Sequence, residues 1–280
     1  MHFDVACSLA YSVREPATLV LNVRPAQNAR QRIVSERFET TPTAAVESTT
    51  LASSGNRLDR VQLAPGEFRL DYRARVSLEP SRVDPASVGE CPPSELPLDV
   101  LENLMASRYC EADRFARFAD KVFGDMAPGH LRVTAICNWI HDHLDYRRGS
   151  SNAHTSAIDT LTDRAGVCRD FAHVGISLCR ALGIPARFAS VYAFGLEPPD
   201  FHAVFEAWLG DRWYLFDPTR QAALDGLVRI GVGRDAADVA FSNSWGGVLE
   251  PLDMQVSITR SDGAAEPADR TVAAVSVDAG

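Results

Sequence analysis

The chain has 280 residues, with 28 Lys and Arg against 37 Asp and Glu, a formal charge of −9. That balance excludes nucleic acid and anionic membrane as main partners, since both need a clustered basic surface. The 46% apolar content suits a globular chain, and the length favours two domains. No apolar run reaches the ~18 residues of a membrane span, and the start, Met1-His2-Phe3-Asp4, lacks a signal-peptide pattern, so a cytoplasmic protein is expected.

Residues 1–80 alternate. Phe3, Val5, Cys7, Leu9, Tyr11 and Val13 fall on one face of a strand, and the same period returns at Leu19–Val23 and from Phe68 to Leu78. Breakers such as Pro16, Pro25, Pro42 and Pro65-Gly66 separate these runs, which predicts an antiparallel sandwich-like domain. The Pro-rich stretch 81–97 reads as a linker. The period then becomes helical: a short helix at Leu98–Met105, a second at Phe115–Phe123, a third at Leu131–Leu144 and a fourth at Cys168–Leu182. Strands follow at Arg187–Phe194, Phe201–Leu209, Arg212–Asp217, Leu227–Val232 and Met254–Thr259. Helices first and strands afterwards predict an α+β domain over 98–260. Residues 261–280, rich in Ala and Asp, read as a flexible tail.

Six cysteines are scattered with no C-x-x-C pair, so free thiols are expected and neither metal nor cofactor. Five read as small core residues. Cys168 differs: Ala165-Gly166-Val167 turns into the fourth helix and places the thiol in its first turn. Unpaired N–H groups and the helix dipole there favour a thiolate, and the same N–H groups suit an oxyanion.

The base comes from the next segment. Gly210-Asp211 between two strands predicts a two-residue hairpin with Leu209 opposite Arg212. His202, Val204, Glu206, Trp208, Trp213, Leu215 and Asp217 then share one face, with Asp217 diagonal to His202. Cys168, His202 and Asp217 thus read as nucleophile, base and orienting carboxylate. Glu206 lies about 13 Å along the strand, too far to orient His202, and Asp200 follows Pro198-Pro199 in a loop. Trp208 and Trp213 face each other either as a packing pair or as the lining of a substrate groove. His173, five residues past Cys168, turns away from the thiol, and His143 continues the apolar stripe of the third helix into the core. Gly231-Val232-Gly233 lacks the third glycine of a nucleotide site, and Arg234–Asp238 reads as a solvated, salt-bridged turn.

The segments Gly166-Val167-Cys168-Arg169-Asp170-Phe171-Ala172-His173, Arg180 to Arg187, His202 to Trp208 and Trp213 to Thr219 resemble the transglutaminase-like superfamily, in particular its bacterial cysteine-protease type. The likeness spans about 131–220, and residues 1–80 resemble the domain that precedes the core in many members. It implies a papain-like cysteine-protease fold, Cys168, His202 and Asp217 in the three roles above, and metal-free thioester chemistry on a peptide or other amide. It also implies a side chain upstream of the cysteine that serves the oxyanion, for which Tyr146 and Thr155 are the candidates beside the Cys168 N–H. The triad is common to hydrolysis and to acyl transfer onto an amine, and a non-catalytic binding scaffold is a third reading.

Overall fold

The computed structural model describes residues 1–261 and 273–278. In chain order the first part is β1 (His2–Val13), β2 (Ala17–Leu21), β3 (Gln31–Thr41), β4 (Val46–Thr50), β5 (Arg57–Leu63), β6 (Gly66–Leu78) and β7 (Ser81–Val83). Next come α1 (Ala112–Phe123), α2 (His130–His143), β8 (Asp145–Tyr146), α3 (Ala157–Asp163), β9 (Ala165–Gly166) and α4 (Cys168–Ala181). The last elements are β10 (Ala186–Ala193), β11 (Phe201–Leu209), β12 (Arg212–Phe216), β13 (Leu227–Gly233), β14 (Ser242–Gly246), β15 (Leu249–Arg260) and β16 (Ala274–Ser276). The class is α+β, a papain-like core with an N-terminal β-domain, as the pattern and the resemblance imply.

Two four-stranded antiparallel sheets, β15-β1-β6-β3 and β14-β2-β5-β4, carry the first apolar core. The alternation of β1 is the cause: Phe3, Val5, Cys7 and Leu9 point inward, where removal from water stabilises each large side chain by roughly 1.5–3 kcal/mol. A third sheet, β12-β11-β10-β13, is covered on both faces. Ala203, Phe205 and Ala207 pack with the α4 residues Phe171, Ile176 and Cys179, while Val191, Val204, Leu215 and Ile230 join the core of the sandwich. Both faces of the sheet that will carry His202 are therefore buried, and the two halves of the chain share one continuous core.

That sharing corrects three expectations. β14 pairs with β2 and β15 with β1, so residues 242–260 belong to the sandwich rather than to a domain ending at 260. β15 is mostly exposed and is held through its backbone ladder, and alternation within a strand does not report which sheet the strand joins. The stretch 81–97 is stitched to the core rather than free: β7 pairs with β16, the Gly210 N–H donates to the Gly89 carbonyl at 2.9 Å, and Glu90 is ion-paired with Arg132. Within the expected tail, Ala274, Val275 and Ser276 form a buried strand; positions 262–272 and 279–280 lie outside the described residues.

The expected helix over Leu98–Met105 shrinks to a 3-10 turn at Leu101–Leu104, with Leu98 and Met105 exposed. His143 is exposed as well. Its ring stacks on Trp139 at 4.3 Å, and its Nδ1 lies 2.8 Å from the Trp139 carbonyl, so the i, i+4 neighbour holds it on the helix surface instead of in the core.

Candidate active site

Cys168 is the first residue of α4. The turn that delivers it is built by β8 and β9, a two-residue parallel pair that sets Asp145 beside Ala165 and Tyr146 beside Gly166. Gly166 is required by close approach, since a Cβ there would meet the Asp170 Cβ at 2.8 Å and the Thr160 Cγ2 at 3.1 Å. The fully buried Asp170 then locks the turn. Its Oδ2 accepts the Val167 N–H at 2.9 Å, and its Oδ1 accepts Arg169 Nε at 3.0 Å and Nη2 at 2.8 Å. Arg169 Nη2 also donates to the Asn152 carbonyl at 2.8 Å, which ties the loop before α3 to the same turn. A buried carboxylate is stable only when paired in this way, and here its partners fix where α4 begins.

His202 stands at the start of β11, opposite Val191, and is 2% exposed. The β11–β12 hairpin closes at Gly210-Asp211, with Gly210 at φ +61°, and pairs Leu209 with Arg212, Trp208 with Trp213 and Phe205 with Phe216. This is the register the sequence predicts. It carries Asp217 past the end of β12 to His202, whose Nε2 lies 3.0 Å from Asp217 Oδ2. The other carboxylate oxygen accepts the Thr219 N–H at 2.9 Å and the Thr219 hydroxyl at 2.7 Å. With Nε2 engaged, Nδ1 is the ring nitrogen left for the Cys168 side chain, which lies close enough to perturb His202.

The electrostatics follow from these contacts. Burial disfavours the imidazolium, but the Asp217 carboxylate and Cys168 outweigh it and push His202 up to about 10. Burial also works against the Asp217 carboxylate, and His202 with the two Thr219 donors overcomes that and holds it below the usual range. The histidine is thus kept protonated at neutral pH between a thiol and a carboxylate.

All six cysteines are free thiols, and Cys7, Cys110, Cys137 and Cys179 are buried. Burial pushes Cys7 up to about 11 and Cys110 up to about 12, and it raises Cys137 and Cys179 as well. Cys168 and Cys91 are the half-buried pair, and Cys168 alone adjoins a histidine–carboxylate couple.

Tyr146, one of the expected upstream residues, is brought to the thiol by β8. It lies beside Cys168 and Gln221, and burial together with Cys168 pushes the phenol up to about 12. Thr155 instead closes its own turn by accepting the Asn152 N–H at 3.0 Å. Gln221 was not legible in the sequence. It sits in the irregular segment after Asp217, where no periodicity marks it; the one available signal is its position four residues beyond the aspartate.

Trp208 and Trp213 lie away from this cluster and pack as a cross-strand pair. Their rings meet edge-on at 5.4 Å, and they pack with Leu96 and Val100 of the segment that crosses the hairpin. Trp208 is six residues along β11 from His202, about 20 Å at ~3.3 Å per residue. Glu206 serves the buried ion pairs with Arg187 and Arg229, and His173 is a packed side chain that accepts the Ala236 N–H at 3.2 Å and stacks on Tyr109. Arg234 and Asp238 form the expected local salt bridge at 3.0 Å.

The helix-terminal Cys168, the buried His202 and Asp217 thus come together where β11 begins and β12 ends. Residues 116–218 match the transglutaminase-like superfamily, and residues 1–88 match the bacterial transglutaminase N-terminal domain. A crystal structure of a candidate cysteine protease from Cytophaga hutchinsonii is 38% identical and superposes with a TM-score of 0.94, covering 99% of this chain and 98% of that one. An uncharacterized Mycobacterium leprae protein is 29% identical over 279 residues, covering 91% of this chain and 98% of its own. A Mycobacterium tuberculosis protein is 25% identical over 273 residues, covering 85% of each. The chain belongs to the transglutaminase-like superfamily.

Proposed function

We propose that the chain is a cysteine-dependent hydrolase that cleaves a peptide or other amide bond through a thioester. The observation that carries this reading is the placement of His202 between the Cys168 thiol and the Asp217 carboxylate, with the thiol on a helix N-terminus. The Cys168 sulfur, as thiolate, attacks the substrate carbonyl and forms a C–S bond. The oxyanion is met by the Cys168 N–H and the Tyr146 hydroxyl, while His202 hands its proton to the departing amine as the C–N bond breaks. Water then attacks the thioester, His202 takes its proton, and the acid leaves with the thiolate restored. Asp217 keeps the ring oriented and stabilises its charged form throughout.

The test is to incubate the protein with a peptide library and a fluorescent primary amine, and to follow cleavage, amine incorporation and the mass of the Cys168-containing fragment. Cleavage with an acyl adduct on Cys168 and no incorporated amine supports hydrolysis. Incorporation without cleavage means acyl transfer. Equal product from the Cys168→Ala variant overturns the mechanism and leaves the scaffold reading.

A further inference from the structure

Asp217 reaches His202 from the turn that follows β12, and Thr219 is the buried side chain of that turn. The Thr219 N–H and hydroxyl both donate to Asp217 Oδ1, at 2.9 and 2.7 Å. The two donors have different duties. The N–H bond closes the turn, as an aspartate side chain does with the backbone two residues on, and any residue but proline at position 219 would supply it. The hydroxyl bond needs this side chain.

A hydroxyl is a free rotor with one proton to give. Here the rotor is set. The Gln221 N–H donates to Thr219 Oγ1 at 3.3 Å, so the proton is directed to the other side, at Asp217. The surrounding backbone is held as well. The Arg220 N–H donates to the Asp217 carbonyl at 3.2 Å, and the Arg220 side chain bonds Asn138 on α2. A carboxylate as buried as Asp217 needs donors on both oxygens to remain charged. Its two oxygens turn together about one bond, so a hold on Oδ1 also fixes Oδ2, which lies 3.0 Å from His202 Nε2.

We propose that Thr219 is a positioning residue: its hydroxyl acts through Asp217 and His202 to keep Cys168 a thiolate. The inference rests on the triad of the hydrolase reading and applies whether water or an amine accepts the acyl group.

The test is the pH profile of Cys168 alkylation by iodoacetamide in the full chain, with sites mapped by mass spectrometry. Thr219→Val keeps the shape and the backbone donor and removes the hydroxyl; Thr219→Ser keeps the hydroxyl. In Thr219→Val the neutral-pH rate should fall by about tenfold, the worth of one hydrogen bond to a charged group. The midpoint of the profile should move up while the high-pH plateau stays, because the thiolate once formed reacts as before. Thr219→Ser should restore both rate and midpoint. A merely structural hydroxyl would change the melting of the protein and leave the midpoint in place. Should Thr219→Val not fold, by circular dichroism, Thr219→Ala removes the same hydroxyl and decides. An unmoved midpoint without the hydroxyl, or a Thr219→Ser shift as large as that of Thr219→Val, overturns this inference alone. Wild-type Cys168 labelling no faster than Cys91 overturns the triad and this inference with it.

Discussion

The hairpin β11–β12 presents one face along its length, yet its two ends differ. At the end that carries His202 and Asp217, the aligned side chains are polar, buried and completed by Thr219 and Cys168. At the other end, Trp208 and Trp213 on the same face are closed over by Leu96 and Val100. Between them Val204 and Leu215 sit in the core shared with the sandwich. Strand alternation thus assigns a face, but what covers that face is decided by segments far away in the chain. The His202–Asp217 contact thus lies at one end of the hairpin and the packed Trp pair at the other.

Substitutions at the two ends should separate cleanly. Asp217→Asn keeps the shape but removes the charge that orients and protonates His202, and kcat on any cleaved peptide should fall by about 10⁴ with little loss of folding. A fall below tenfold would show that Asp217 is a structural acceptor for Thr219 only. Tyr146→Phe removes one proposed oxyanion donor and should cost roughly 10²–10³ in kcat with KM nearly unchanged. At the far end, Trp213→Ala should leave kcat alone and lower the unfolding free energy by about 3–5 kcal/mol, read from denaturant melts. A large kcat effect without loss of stability would put the Trp pair back in the substrate site.

A pH slope in stability is expected as well. His202 in the folded chain is raised from its ordinary ~6.5 to about 10. The native state therefore holds a proton that the unfolded chain has lost across that interval. Its contribution is fully present below ~6.5 and is lost as pH rises toward 10, so melts should weaken over this window. Asp217→Asn should flatten the slope, and an unchanged slope would assign it to other groups.

Much of the site was legible because it rests on short-range rules. Gly210-Asp211 fixes the hairpin register, the register sets His202 against Asp217, and the turn at Gly166 sets Cys168 at a helix start. The rest depends on long-range placement. Tyr146 reaches Cys168 through a two-residue parallel pair too short to leave a periodic trace, and Gln221 approaches Tyr146 from an irregular segment. The return of β14 and β15 to the sandwich, and of β16 to β7, is carried by backbone pairing that carries no side-chain signature. The apolar stripe of α2 misplaced His143 because the neighbouring Trp139 offers its ring a surface to stack on.

Competitive alkylation bears most directly on the central claim. The four buried cysteines are held as neutral thiols by burial, which leaves Cys91 as the internal control of similar exposure to Cys168. With limiting iodoacetamide at neutral pH and the sites mapped by mass spectrometry, Cys168 should label fastest of the six and well ahead of Cys91. That lead should shrink in Asp217→Asn and His202→Ala. Labelling of Cys168 no faster than Cys91, or a lead that both variants leave intact, would contradict the assignment of Cys168 as a histidine-activated nucleophile.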